Sequence, residues 1–338
     1  MPTNSDSGNV LRVGSRDSKL ALVQTNQVVA AIQRAHPTLS VTVETMKTIG
    51  DKIQDVALSK FGDKGLFTKE LEVALEEGLI DLVVHSLKDM PTALPDAMAL
   101  AAITEREDPR DAVVMGPRHN GVGDLAGLPD GCVVGTGSVR RVAQLRRLYP
   151  RLEFRDIRGN IDTRLAKLDA DGSPYDALVL AAAGLIRIGL GSRIAQRLDD
   201  VLHAVGQGAL GIEVRSGDAR TARIARVIDH RDSRLACLAE RQLMRALEGG
   251  CSVPIGAVAD WDLEGGCRVL RLRAVVVSPD GAQAVDACDE QDMPPNGEEE
   301  PEGEGEGDRR ACALGARVAA AMRAKGADAI LAAIERAS

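Results

Sequence analysis

Apolar and polar residues alternate along the chain with two periods, one of about two residues and one of about four, and their succession predicts an α/β protein. Residues 10–13 read as a short strand. Ser18 then opens a helical pattern to about residue 34, ended by His36-Pro37, because serine accepts from a first-turn amide and proline cannot extend a helix. Residues 41–46 are β-rich, and a glycine-punctuated loop occupies 61–67. Thr68 is placed to cap a short helix that has acids in its first turn and Gly78 behind it. The run DLVVH, 81–85, predicts a buried strand. Ser86, Lys88 and Asp89 follow it, at the carboxyl edge where open α/β sheets bind ligands.

The rhythm restarts near Asp108-Pro109. A strand at 132–134, the glycine loop GTGS, a helix at 138–149, a strand at 153–157, a helix from about 161 and a strand at 176–182 predict a second α/β domain of similar build. The segment VGQGALGIEVR, 205–215, interrupts the helical pattern and is expected to return the chain to the first domain, leaving two linkers as a hinge over a cleft. From about 221 come two helices, the second ending at Glu248-Gly249-Gly250, then hairpin-like strands at 255–260 and 269–278. An alanine-rich helix is predicted at about 310–336. Before it, an acidic stretch without apolar residues, centred on 296–308 and beginning at about 290, is expected to be a disordered insertion.

Composition narrows the picture. At 338 residues the chain exceeds the size at which one core stops growing, so two or three domains are expected. Aromatic residues make up only 2%, which leaves few platforms for stacking nucleic-acid bases. A net charge of −8 argues against general polyanion binding, while allowing a local basic cleft. The six cysteines form no C-x-x-C pair, which removes the usual zinc and thioredoxin-like motifs and leaves no expected metal; reduced thiols in the cytoplasm fit best. No basic-then-apolar leader and no membrane-length apolar run is evident, so neither export nor insertion is expected.

Basic side chains recur where the predicted strands end. GTGSVRR sets Thr136, the N-cap Ser138, Arg140 and Arg141 at a helix start, where free amides and guanidinium forks suit carboxylates. It has no P-loop lysine and is not a dinucleotide fingerprint. RGNIDTR repeats the theme with Arg158 and Arg164, and Arg187 follows the next strand. Arg12 and Arg16 flank the first strand beside Ser18, and Lys64 lies in the glycine loop. Each alone is compatible with solvated surface charge. Together they imply one shared anionic ligand.

Two other groups differ in kind. Asp89 is an acid among cations, suited to bind an N–H and to stabilise a cationic intermediate, or to cap or pair structurally. His85 is expected in the strand core. Cys251 follows paired glycines, which suits covalent attachment, although single cysteines are commonly small buried hydrophobes.

In this order the segments LRVGSRDSKLALVQ, FGDKGLFTKELE, DLVVHSLKDMP, EREDPRDA, GTGSVRR, RGNIDTRLAKL, AAAGLIRIGL, VGQGALGIE and EGGCSVPIGA resemble the porphobilinogen deaminases, or hydroxymethylbilane synthases. The resemblance runs from about residue 10 to 257 and is weaker beyond. It implies two periplasmic-binding-protein-like (type II) α/β domains with an interdomain cleft, plus a smaller C-terminal α+β domain. The boundaries are 1–104 with 203–222, 105–202, and 223–338. It implies a transferase that joins four porphobilinogen molecules head to tail into hydroxymethylbilane with loss of ammonia, in tetrapyrrole and haem biosynthesis.

The resemblance further implies a dipyrromethane cofactor held as a thioether on Cys251, and Asp89 contacting pyrrole nitrogens. Lys88 and Arg16 accompany Asp89 in catalysis. Carboxylate contacts fall to Arg16, Ser18, Lys88, Thr136, Ser138, Arg140, Arg141, Arg158, Arg164 and Arg187, with Lys64 on a loop covering the cleft. It also implies a cytoplasmic monomer that handles porphobilinogen and polypyrrole intermediates, without nucleic acid or membrane. Gly137 stands where many members have serine, removing one hydroxyl. The competing expectation is a non-catalytic clamshell protein binding a small anion.

Overall fold

The computed structural model describes residues 9–48, 68–247, 253–264, 267–295 and 305–337. They fall into two compact units, one drawn from 9–107 and 209–234, the other from 108–208 and 235–337. The first stretch contributes β1 (Val10–Arg16), α1 (Lys19–Ala35), β2 (Ser40–Met46), α2 (Lys69–Glu76), β3 (Leu82–Ser86) and β4 (Met98–Ile103). Next come β5 (Asp111–Met115), β6 (Val133–Gly135), α3 (Val139–Leu148), β7 (Glu153–Arg155), α4 (Ile161–Asp169), β8 (Ala177–Ala181), α5 (Ala182–Arg187) and β9 (Gln196–Leu198). The remainder forms β10 (Leu210–Arg215), α6 (Ala219–Arg226), α7 (Arg231–Ala246), β11 (Ile255–Glu264), β12 (Cys267–Val277), β13 (Ala284–Met293), α8 (Glu306–Ala324) and α9 (Ala327–Ala337).

The first unit is a five-stranded sheet in the order β2-β1-β3-β10-β4. β1 runs parallel to β2 and β3, and β10 runs antiparallel between β3 and β4. Residues 210–215 therefore do return to the first sheet. Leu11, Val13, Leu82, Val84, Ile212 and Val214 bury one face against Val28 and Ile32 of α1, the periodic residues that made the helix legible. The second unit repeats the plan as β7-β6-β8-β5-β9. Three strands are again parallel, and the fourth, β5, runs antiparallel between β8 and β9. Both sheets match the expected pair of α/β domains.

The third sheet, β11-β12-β13, is an antiparallel meander. Leu270, Leu272 and Val276 pack there with Leu235 and Leu243 of α7 and with Leu314, Val318 and Met322 of α8. This is the expected smaller α+β region. At Gly315 the two helices approach so closely that an added Cβ would lie 2.3 Å from the Ala239 carbonyl oxygen.

Three expectations need correction. The insertion expected from about 290 to 308 is ordered at both ends: 290–293 complete β13, and 306–308 open α8 with Asp308 buried. Residues 296–304 lie outside the described residues. The single terminal helix is two, because Gly326 turns at φ 93° between α8 and α9. Thr68 occupies the N-cap of α2 but makes no cap bond, and among the described residues its buried hydroxyl finds no partner. Strand β13 went unread because its outward positions carry Asp286, Cys288 and Glu290, leaving little apolar alternation. Among the described residues, no helix is long and apolar enough to cross a membrane.

Candidate active site

Parallel pairing sets the carboxyl ends of β1 and β3 side by side. Arg16 is the last residue of β1, and Ser18 caps α1 by accepting from the Ala21 amide at 3.4 Å. At the end of β3 the Ser86 hydroxyl is tied to Gln24 of α1 at 2.9 Å. A tight 3-10 turn, Leu87–Asp89, follows. Leu87 is buried and anchors it, and Lys88 and Asp89 are left half-buried at the sheet edge. Among the described residues, no donor reaches the Asp89 carboxylate; the capping and ion-pair roles open to it in sequence are not used. His85 is core, as expected, with Nε2 3.0 Å from Glu213 Oε2 on β10.

Arg12 does not belong with this edge. It lies near the start of β1, where its Nη2 donates to Asp81 Oδ1 at 2.7 Å and its Nε to Oδ2 at 3.1 Å. Burial alone would raise Asp81, but the hydrogen bonds and charge of Arg12 outweigh it and hold the carboxyl below its usual range.

In the second unit β6 and β7 are parallel neighbours, and the Thr136 amide donates to the Arg155 carbonyl at 3.0 Å, joining the loops that follow them. Gly135 is required there, since a Cβ would meet Leu178 at 2.6 Å and Tyr175 at 2.9 Å. At Gly137 a Cβ would meet the Asp156 carboxylate at 2.8 Å, a side-chain end that can turn away, and the Ile157 carbonyl oxygen at 3.2 Å, a tight contact with backbone. Ser138 caps α3, accepting from the Arg141 amide at 3.4 Å. Arg158 pairs with Asp156 at 2.8 Å, Arg164 donates to the Gly159 carbonyl at 2.6 Å, and Arg187 donates to the Gly208 carbonyl at 2.7 Å.

Arg140 and Arg141 behave differently from the solvent-facing anion clamp that sequence suggested. Both are buried, and both hold Asp111, the first residue of β5, which is fully excluded from solvent. Arg140 Nη1 reaches Asp111 Oδ2 at 2.7 Å and the Leu202 carbonyl at 2.8 Å. Arg141 Nη2 lies 2.8 Å from Asp111 Oδ1, and its Nη1 donates to the Val179 carbonyl at 3.1 Å. Gln207 Nε2 adds a bond to Asp111 Oδ1 at 2.8 Å. Burial opposes ionisation of Asp111, but the two guanidiniums together outweigh it and hold the carboxyl far below the ordinary range. Two cations on one anion leave one positive charge under the Thr136–Ser138 loop.

Asp111 was missed as a site residue. Its signal in sequence was an acid opening the apolar run DAVVM, which asks for a buried partner. EREDPRDA, GTGSVRR and VGQGALGIE meet at this one carboxylate.

The arrangement offers two chemistries. The second unit gathers hydroxyls, helix-start amides and guanidiniums, which suit acetate and propionate groups. The first unit presents Asp89, an acceptor that no donor reaches among the described residues, which suits pyrrole N–H groups. Each set by itself is of the kind that a dipyrromethane's carboxylates or its pyrrole N–H groups would use. Lys64 and Cys251 lie outside the described residues.

Residues 11–223 match the family model "Porphobilinogen deaminase, dipyromethane cofactor binding domain", and 234–324 match "Porphobilinogen deaminase, C-terminal domain". A porphobilinogen deaminase of Synechococcus sp. (strain RCC307) is 50% identical over 96% of both chains. One of Gloeobacter violaceus is 52% identical over 94% of this chain and 92% of its own. Among solved structures, the methionine-binding protein MetQ overlaps 64% of this chain and 88% of its own at TM-score 0.41 and 13% identity, too distant to bear on the reading.

Proposed function

The chain belongs to the porphobilinogen deaminase family, transferases that join four porphobilinogen molecules into hydroxymethylbilane, and we propose how its own residues divide that reaction. Dipyrromethane, the family's cofactor, supplies the free pyrrole α-carbon on which the chain is extended. Cys251 carries it as a thioether.

Asp89 binds the pyrrole N–H of the incoming ring. It stays ionised while ammonia leaves, so that its charge offsets the positive charge developing beside the ring nitrogen. Arg16 and Lys88 flank it and take substrate carboxylates, with Ser18 and Lys64 contributing further contacts. Thr136, Ser138, Arg158 and Arg164 hold acetate and propionate groups of the cofactor and lengthening chain, and Arg187 takes those of substrate. Arg140 and Arg141 act at one remove: paired on Asp111, they fix the start of α3 and supply its net positive charge. The single observation that carries this division is the Asp89 carboxylate at the β3 edge, which no donor reaches among the described residues.

The expected division of the chain at 1–104 with 203–222, 105–202 and 223–338 is kept as part of the proposal, as are a monomeric state and a cytoplasmic location. The non-catalytic clamshell alternative is not favoured, since the relatives from Synechococcus and Gloeobacter are named porphobilinogen deaminase.

Intact-protein mass spectrometry tests the assignment. Active protein should carry an added mass of two pyrrole units that is missing from Cys251→Ala. An unmodified wild-type chain that still turns over porphobilinogen would overturn it.

A further inference from the structure

Away from the carboxyl edges of the second sheet, three side chains of different chemistry converge. His119 closes the short 3-10 turn Pro117–His119, Cys132 immediately precedes β6, and Asp176 immediately precedes β8. The ligand atoms of all three lie within 4.8 Å of one another. His119 Nε2 is 2.9 Å from Asp176 Oδ1 and 3.8 Å from Cys132 Sγ. Both contacts use the same ring nitrogen, so that atom faces the thiol and the carboxylate together.

We propose that His119, Cys132 and Asp176 form a binding site for a single borderline-soft divalent cation of the zinc type, with solvent as the fourth ligand. The donor set is one imidazole nitrogen, one sulfur and one carboxylate oxygen, the types that zinc takes in tetrahedral sites. Bond lengths of about 2.0–2.3 Å place tetrahedral ligands roughly 3.3–3.7 Å apart. The observed 2.9 and 3.8 Å bracket that range, so shifts of a few tenths of an ångström in those two separations admit the ion. His119 and Asp176 keep 16% and 14% of their side chains accessible, which opens the fourth position to water.

The scaffold is already braced. Asp176 donates its amide to the Val133 carbonyl at 2.8 Å and accepts the Val133 amide on Oδ2 at 2.8 Å, and the Gly116 amide bonds the Asp176 carbonyl at 2.8 Å. His119 in turn donates its amide to Gly116 at 2.9 Å. These bonds fix the backbones that carry all three ligands and hold Oδ1 toward the His119 ring, the outer support that metal sites use. Arg118 Nη2, 3.0 Å from Asp176 Oδ1, also donates to the Ser173 carbonyl at 2.9 Å and the Tyr175 carbonyl at 3.2 Å, and its release from Oδ1 is part of what ion binding requires. Binding is balanced simply. The Cys132 thiol loses its proton to water, and the His119 ring proton resides on Nδ1 while Nε2 binds the ion.

Cobalt(II) is the probe, because thiolate-to-cobalt charge transfer and tetrahedral d–d bands report sulfur ligation directly. Chelator-treated full-length protein is expected to take up one cobalt ion with both spectral features, and equimolar zinc should bleach them. Cys132→Ser should abolish the charge-transfer band, and His119→Ala, at a partly exposed position, should weaken uptake at least tenfold while its thermal melt stays cooperative. No charge-transfer band in the wild type, or one that persists in Cys132→Ser because another cysteine provides it, overturns the proposal. The readout is independent of porphobilinogen turnover.

Discussion

Arg140 Nη1 stands 2.7 Å from Asp111 Oδ2 with both side chains shut away from water, and Arg141 shares the same carboxylate from the other oxygen. A buried ion costs several kcal/mol to desolvate, so such a cluster survives only when its charges are paired and its polar atoms hydrogen-bonded. Here the match joins the start of β5 to the start of α3.

Asp111→Asn should therefore be costly although it preserves shape. Removing one partner of a buried ion pair costs about 3–5 kcal/mol. The urea midpoint of the variant is expected to fall accordingly, and a midpoint within about 0.5 kcal/mol of wild type would mean that the arginines are held by something else.

The same network sets a pH dependence. Asp111 is held below its unfolded value of about 3.9, and Asp81 is shifted in the same direction by Arg12. A depressed acid contributes stability that is complete above its unfolded pKa and is lost as pH falls toward its folded one. The gap between the urea midpoints of wild type and Asp111→Asn, measured from pH 7 to pH 3, should accordingly begin to narrow below about pH 4. A constant gap between them would contradict the assignment.

Asp89→Asn should separate chemistry from stability. The carboxylate has no protein donor to lose among the described residues, so the melt is expected to stay within about 0.5 kcal/mol of wild type. Turnover of porphobilinogen should fall by about a hundredfold or more, the scale for losing a group that stabilises developing charge. Comparable loss of stability and rate would make Asp89 structural.

At Gly315 the obstacle is backbone rather than side chain. An added methyl would sit 2.3 Å from the Ala239 oxygen and 2.9 Å from the Leu243 nitrogen, atoms that cannot rotate aside. Gly315→Ala should destabilise by about 1–3 kcal/mol by overpacking, although alanine is the better helix former by about 1 kcal/mol. Chemical denaturation gives the sign directly.

Much of this was legible in residue order. Ser18 and Ser138 cap α1 and α3 as their positions suggested, and the buried strand before Lys88 and Asp89 lies one residue from where DLVVH placed it. Caps and apolar periods depend on neighbours a few positions away. Arg12 was grouped with Arg16, yet the partner that removes it from the edge, Asp81, is 69 positions distant. The start of α8 at Glu306 was hidden inside an acidic low-complexity run, since its stability comes from packing on other elements.

By itself, the sequence determined the alternation of strands and helices, the capping points and the ordered motifs that place the chain in its family, because these rest on local periodicity and on residue identity. Only the tertiary structure decided which charges stay near the surface and which are consumed within the fold. Arg140 and Arg158 look alike as letters. One is sealed against Asp111 and the other sits in a loop beside an exposed aspartate, and that difference arises from which strands pair, a long-range outcome of burying both sheets.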